Sequence, residues 1–132
     1  MDGRHMQIGE VADRTGLSLR TIRHYEDVGL ALPTARSQGG FRLYTDDDVA
    51  RLLVIKRMKP LDFTLEEMRD LLEIIDELQS PGTDEDTRAD LAKRLGVYRT
   101  LVEERCAKIR ARLSDAEQFS AELSAELRKH RA

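Results

Sequence analysis

The sequence predicts a mainly α-helical protein in which a head of short helices and one β-hairpin is followed by a single long helix. Three observations carry this prediction. Apolar residues recur at helical spacing in short segments before residue 80. A stretch rich in proline and glycine interrupts those segments, and a seven-residue apolar repeat runs through the last third of the chain. We expect the head at residues 6–79, a linker at 80–83 and the long helix at 84–132.

Composition narrows the class of protein. Charged residues make up 36% and aromatic residues 5% of the 132 residues, which suits exposed amphipathic helices better than a large enzyme core. The single cysteine, Cys106, excludes an intramolecular disulfide framework and a multi-cysteine zinc cluster. The chain has neither an apolar run of the ~18 residues that a membrane helix needs nor a signal-peptide pattern. We expect a cytoplasmic protein without a cofactor, a metal site or a membrane contact.

Charge is divided unevenly along the chain, although the net charge is −3. Residues 1–60 carry ten basic and eight acidic side chains, whereas residues 61–132 carry twelve and seventeen. Between Arg14 and Tyr44 five arginines face only two acids, Glu26 and Asp27. Attraction of phosphate depends on such local fields more than on net charge. A basic surface is therefore expected in the N-terminal part.

Two short helices joined by a glycine turn are predicted at the start of the head. Residues 1–5 show no periodicity, and we interpret them as a disordered extension or a cloning remnant. An apolar face begins at Ile8 and the first helix ends at Gly16, a residue suited to the left-handed position after a helix. Ser18 is a good N-cap for a second helix to about residue 27, with Leu19 and Ile22 facing inward. This pattern is typical of a helix-turn-helix.

A hairpin and two further helices complete the predicted head. Pro33 blocks a helix, and the glycines of residues 38–40 favour a turn between strands at 34–37 and 41–44, which together would form a wing. Thr45 would begin a third helix that Pro60 closes. Thr64, with Glu67 at the reciprocal capping position, would begin a fourth. The fourth helix is expected to bury one stripe: Leu65, Met68, Leu71, Leu72 and Ile75.

The long helix carries a heptad repeat. A helix of more than 40 residues cannot bury such a stripe against a head of about 80 residues, so it needs a partner helix, and a second copy of the chain is the simplest one. We expect dimerisation through the stripe Leu91, Leu95, Tyr98, Val102, Ile109, Ala116 and Leu123.

At this point the residues resemble a known family in order and spacing. Residues 8–12, 21–26, 29–30, 40–42 and 63–67 match the MerR family, and the resemblance covers roughly residues 6–79 closely and the long helix by architecture. It implies a winged-helix head and an antiparallel coiled coil that joins two heads. It also implies a homodimer that binds a pseudo-palindrome in an overlong promoter spacer and distorts it so that RNA polymerase can engage both promoter elements, which is indirect readout of DNA.

The resemblance assigns DNA contacts to three places. They are the recognition helix, the wing and the end of the third helix: Arg20, Thr21, Arg23, His24, Tyr25, Arg36, Arg42, Tyr44, Lys56 and Lys59. Several alternatives stay open at this stage. The basic residues of the helix and the hairpin could be solvated surface residues, and the sequence does not tell which of Lys56, Arg57 and Lys59 touches phosphate. Tyr25 could pack in the core, and Tyr44 could serve packing as well as a phosphate contact. The family more often has an aromatic residue at the position of His24, and this difference is expected to alter which bases the protein prefers.

Cys106 allows two interpretations. The metal sensors of the family have further cysteines after the long helix, and this chain has none, so thiolate metal sensing is not expected. A small buried thiol near the seam of the coiled coil is the simpler interpretation. The alternative is a redox-switchable disulfide between subunits, because Cys106 lies near the middle of the long helix, where antiparallel copies would approach each other.

Competing functions differ in what they require. An adaptor that recruits a protein through its coiled coil has no need for Arg23, Arg36 and Arg42 to converge. An architectural DNA-bending protein has no need for the long helix. An enzyme has little support, since no paired nucleophile and base is in view and no catalytic residue is expected. Activation versus repression, the operator and any effector stay open.

Overall fold

The computed structural model describes residues 5–131. The interpretation of residues 1–5 therefore falls almost wholly outside the described residues; His5 is exposed. The chain divides after Pro81 into two units, the head and a long helix, and each is considered by itself. The elements are α1 (Ile8–Thr15), α2 (Leu19–Asp27), β1 (Ala35–Arg36), β2 (Arg42–Leu43), α3 (Asp46–Met58), a 3₁₀ turn (Lys59–Leu61), α4 (Leu65–Gln79) and α5 (Glu85–Lys129). The predicted fold class is confirmed.

The helix-turn-helix forms through the local signals that predict it. Gly16 follows α1 in the left-handed region, with φ 74°, and its amide donates to the carbonyl oxygen of Ala12. The Ser18 hydroxyl accepts from the Thr21 amide and caps α2. One expectation is wrong: Leu19 is 40% exposed and the inward face of α2 is Ile22 and Tyr25. Leu19 lies in the first turn of α2, one turn before Ile22, where the core no longer covers it.

The wing is a two-stranded antiparallel hairpin. Ala35 pairs with Leu43 and Arg36 with Arg42, so the strands are shorter than predicted, and Gly40 takes φ 84° in the turn between them. Tyr44 continues past β2 into an antiparallel bridge with Met6, whose amide and carbonyl both hydrogen bond to it at 2.8 Å. This bridge joins the start of the head to the wing and was not predicted.

Helices α3 and α4 both begin with a capping box. Thr45 pairs with Asp48, and Thr64 pairs with Glu67. In each pair the threonine hydroxyl accepts from the backbone amide of the acid, and the carboxylate accepts from the backbone amide of the threonine. The core follows the predicted periodicity with two corrections. Leu65 is 41% exposed, and Ile74 rather than Ile75 is fully buried. One turn of α4 holds both isoleucines, so spacing alone left open which one faces the core.

The second unit is one helix of 45 residues, α5. The Asp84 carboxylate caps it by accepting a hydrogen bond from the Thr87 amide. Hydrogen bonds from the backbone and the side chain of Thr87 lower the pKa of the Asp84 carboxyl below its usual value. Of the stripe predicted for dimerisation, Leu91 is buried, the members from Leu95 to Ile109 are half-buried, and Leu123 is 49% exposed. Leu113, which lies beside the stripe, is 57% exposed. Among residues 5–131 no helix is both long and apolar enough to cross a membrane.

Candidate nucleic-acid interface

Helix α2 presents polar and basic side chains opposite its buried face. With Ile22 and Tyr25 buried, Arg20, Arg23 and His24 are exposed along the outer surface. These three lie where an element must present side chains to read a groove of DNA. Thr21 is half-buried, and its hydroxyl accepts a hydrogen bond from Ser18 at 2.9 Å.

A cleft of about 500 Å³ joins this surface to the end of α3. It brings together six of the ten residues predicted to contact DNA, although they are far apart in sequence. The cleft is lined by Leu17, Arg20, Thr21, His24, Tyr25, Lys56, Lys59 and Pro60. No carboxylate is among these residues, so the surface is suited to an anion.

Lys56 has a structural partner in addition to its place in the cleft. Its ammonium donates to the Thr15 carbonyl oxygen at 2.7 Å and thereby caps the end of α1. Lys59 lines the same cleft and is exposed. Lys59 thus differs from Lys56 in that its ammonium makes no hydrogen bond within the head among the described residues, and a phosphate contact of either lysine stays a prediction.

Both wing arginines are joined to the recognition helix by one acid, Glu26. Arg36 donates through Nη2 to Oε2 of Glu26 at 2.7 Å and through Nη1 to the Gly40 carbonyl oxygen at 3.2 Å. Arg42 donates through Nε to Oε1 of the same carboxylate. This hydrogen bond to Glu26 raises the pKa of the Arg42 guanidinium. The wing arginines are thus held beside α2 by a residue that sequence reasoning missed, and their contact with DNA stays a prediction.

In the sequence, Glu26 counts only as one of two acids among five arginines and as part of a segment that resembles the family. A signal was present in the sequence. Acids at the C-terminal end of a helix oppose the helix dipole, and Glu26 lies there amid an excess of arginines. Its side chain is only 14% exposed, which distinguishes it from an ordinary surface acid.

The two tyrosines differ in what they can reach. Tyr25 is 4% exposed but lines the cleft, with its ring 5.8 Å from that of His24. Tyr44 is 1% exposed, and its hydroxyl is buried without a hydrogen-bond partner among the described residues. The expected phosphate contact of Tyr44 is therefore not available in this conformation, and the packing alternative is the one that the geometry supports. Burial raises the pKa of both phenols.

The remaining site predictions concern metals and Cys106. Within residues 5–131, no group of three or more His, Cys, Asp or Glu side chains could hold a metal ion. The acids Asp46, Asp47 and Asp48 occupy the first turn of α3, where the helix dipole favours them. Cys106 is a half-buried free thiol on α5. A disulfide between subunits stays a prediction, as does the dimerisation stripe.

A helix-turn-helix with an arginine-bearing wing, a basic cleft and a long trailing helix defines a class, that of winged-helix DNA-binding regulators. Two family models match the chain. One described as "MerR HTH family regulatory protein" matches residues 6–74, and one described as "MerR, DNA binding" matches residues 49–125. The chain belongs to the MerR family.

Individual relatives agree with this assignment. The mercuric resistance operon regulatory protein of Bacillus cereus is 46% identical over 70 residues, 53% of each chain. The transcriptional regulator HmrR of Rhizobium leguminosarum bv. viciae is 40% identical over 79 residues, 60% of each chain. The matches thus span about half to three-fifths of the length of these curated relatives.

Solved structures show the same fold over nearly the whole chain. HiNmlR, a MerR family regulator lacking the sensor domain and bound to promoter DNA, superposes with a TM-score of 0.68 at 21% identity, covering 94% of this chain and 84% of that one. PbrR691 of Ralstonia metallidurans CH34, in complex with lead(II), has a TM-score of 0.56 at 31% identity, covering 96% and 88%.

Proposed function

We propose that this protein is a homodimeric transcription regulator that binds a pseudo-palindromic promoter site and distorts the spacer DNA, so that RNA polymerase gains or loses access to the promoter elements. The observation that carries the proposal is the set of basic side chains that separate elements of the head bring together. The exposed side of α2, the cleft and the wing together present Arg20, Arg23, His24, Lys59, Arg36 and Arg42.

This surface suits double-stranded DNA better than a small anion. Its basic groups come from three separate elements, and a recognition helix flanked by a wing can follow a groove and the adjacent backbone. Arg23 and His24 on α2 are exposed where they could meet base edges and phosphates, while the wing arginines, held beside α2 by Glu26, would contact flanking phosphates.

The homodimer is supported by the exposed apolar residues of α5. Leu113, Phe119, Leu123 and Leu127 are between 49% and 63% exposed, and together with Ile109 and Ala116 they recur near heptad spacing. Water contact with this many large apolar side chains is unfavourable by roughly 1.5–3 kcal/mol each relative to burial. A second copy of α5 removes them from water, and two heads then meet two half-sites of a palindrome.

A footprint of the purified protein on the promoter of its own gene tests the proposal. We expect a protected dyad-symmetric site between the two promoter elements, with altered cleavage at its centre that reports distortion. Arg23→Ala and Arg42→Ala should weaken protection. Arg112→Ala, which removes an equally charged and exposed side chain from α5, serves as the matched control and should not.

The alternatives give different footprints. Protection outside the spacer, without distortion, would point to an architectural DNA-bending protein or to simple repression. A lack of protection at low salt would replace the proposal with the adaptor, whose coiled coil recruits another protein. Transcription in vitro with RNA polymerase, with and without the protein, then tells activation from repression.

A further inference from the structure

Glu26 holds together two arginines that would otherwise repel each other. Arg36 and Arg42 are register partners across the wing, and like charges directly opposite in a hairpin are destabilising. The Glu26 carboxylate accepts from both guanidinium groups, one on each oxygen. The acid comes from α2 rather than from the wing, so it also fixes the wing against the recognition helix.

A carboxylate at the position of Glu26 favours neither the stability of α2 nor the attraction of DNA. A carboxylate in the last turn of α2 opposes the helix dipole. It also lies next to the basic surface proposed to meet phosphate, where a negative charge repels DNA. Simple electrostatics therefore predicts that removal of Glu26 improves DNA binding. Its burial and its two hydrogen bonds indicate a geometric role instead.

We infer that Glu26 is a positioning residue for DNA recognition, which holds Arg42 and Arg36 in the orientation in which the wing presents them to the DNA backbone; this inference rests on the proposed function. Arg42 donates to Glu26 through Nε, so its two terminal Nη groups remain available for a phosphate. A guanidinium is a rigid planar fork, and fixing one edge orients the other. An arginine that is already ordered loses less conformational entropy when DNA binds.

The sign of the effect of Glu26→Ala on DNA affinity tests the inference. If Glu26 positions the arginines, affinity for the footprinted promoter fragment falls by roughly threefold to tenfold. The slope of log K against log salt concentration then becomes shallower by about 0.9 for each phosphate that the variant no longer neutralises. If Glu26 acts only through its charge, affinity rises instead, which would overturn the inference.

Asp27→Ala is the matched control. Asp27 is the next residue on α2 and is exposed, and its removal takes away the same charge without disturbing the arginines. It should leave affinity unchanged or raise it slightly. Glu26→Gln, which keeps the shape and one acceptor oxygen, should bind more tightly than Glu26→Ala and less tightly than the wild type. A far-ultraviolet circular dichroism spectrum of each variant confirms that the helices are intact.

A double-mutant cycle locates the effect in the wing. In an Arg36→Ala/Arg42→Ala background, Glu26→Ala should no longer lower affinity, because the side chains that it positions are absent. An undiminished fall in affinity in that background would overturn the inference, since Glu26 would then act by another route.

A measurement on the free protein separates this inference from the proposed function. The Nε–H proton of Arg42, donated to a carboxylate, should exchange slowly with water and give a distinct nuclear magnetic resonance signal, which Glu26→Ala abolishes while Asp27→Ala does not. An identical signal in Glu26→Ala would overturn the positioning role whether or not DNA binds. If the wild type fails to bind promoter DNA, the proposed function fails and this signal still decides whether Glu26 holds Arg42.

Discussion

Tyr44 is the residue at which burial decides between two roles. Its ring is buried, its backbone is bridged to Met6, and its hydroxyl reaches neither solvent nor a partner among the described residues. A buried hydroxyl without a hydrogen bond retains its full desolvation cost. The side chain therefore contributes through its ring, and its hydroxyl opposes folding.

Tyr44→Phe should raise the free energy of unfolding by about 1 kcal/mol at neutral pH, because it removes the unpaired hydroxyl and keeps the ring. The variant should also soften the alkaline loss of stability. Burial raises the pKa of Tyr44 in the folded state, so ionisation of this phenol takes no stability from the protein below pH ~10, where the unfolded phenol is still neutral. Stability is lost as pH rises from there through the folded pKa, because the unfolded state ionises first.

Urea unfolding of both proteins at neutral and alkaline pH measures this difference. DNA affinity is the control for the alternative role. If the Tyr44 hydroxyl contacts phosphate, Tyr44→Phe weakens promoter binding, whereas a packing role leaves binding unchanged. A less stable variant at neutral pH would show that the hydroxyl has a partner in solution.

At the scale of elements, the helix-turn-helix depends on a contact from a third helix. Lys56 of α3 reaches across the turn to cap the Thr15 carbonyl, and its Nζ would lie 2.8 Å from a Cβ added at Gly16. Gly16 itself has φ 74°. The backbone conformation therefore favours glycine at this position, whereas the flexible Lys56 side chain could move away from an added Cβ at the expense of its hydrogen bond to Thr15.

Gly16→Ala should lower the free energy of unfolding by roughly 1–2 kcal/mol through left-handed backbone strain, with a further decrease as Lys56 is displaced. Gly9→Ala is the matched control. Gly9 is a helical residue of α1 with open space around its Cβ position, so alanine there should be neutral or stabilise by up to about 1 kcal/mol. Thermal unfolding measures the stability of the two variants. Equal changes in stability for Gly16→Ala and Gly9→Ala would contradict this account of the turn.

At the scale of the whole molecule, the proposed activity needs two heads on one DNA site. A single head with one recognition helix and one wing offers a small binding surface, and joining two heads makes the second binding event intramolecular. Dimerisation would therefore raise the affinity for DNA as well as match the two-fold symmetry of the site. In this proposal α5 is the element that determines both.

Ile109→Asp should abolish the dimer and weaken promoter binding by at least 100-fold, as expected when two linked binding events become independent. Ile109 is a half-buried member of the predicted stripe, and a carboxylate in a coiled-coil seam is strongly disfavoured. Ala107→Asp introduces the same charge two residues away at an exposed position and should stay dimeric. Sedimentation velocity measures the mass of each. A dimeric Ile109→Asp variant would show that this stripe is not the interface.

The sequence alone predicts the local features of this protein. Spacing and caps predict every helix of the head and the long α5, because those signals act between residues a few positions apart: Ser18 with Thr21, Thr45 with Asp48, Thr64 with Glu67. Six predicted contact residues also prove to share one cleft. That result follows from assigning them to α2 and to the end of α3.

The sequence by itself determined the fold class, the capped ends of the helices and the family, since each depends on local periodicity or on an ordered set of motifs. Tertiary structure decided which side chains are available to DNA. Glu26 meets arginines ten and sixteen residues away, Lys56 meets Thr15 across 41 residues, and the backbone of Tyr44 is bridged to Met6. Such pairings depend on how separate elements pack in space. The local sequence marks Glu26 as an unusual acid but does not identify the residues that it contacts.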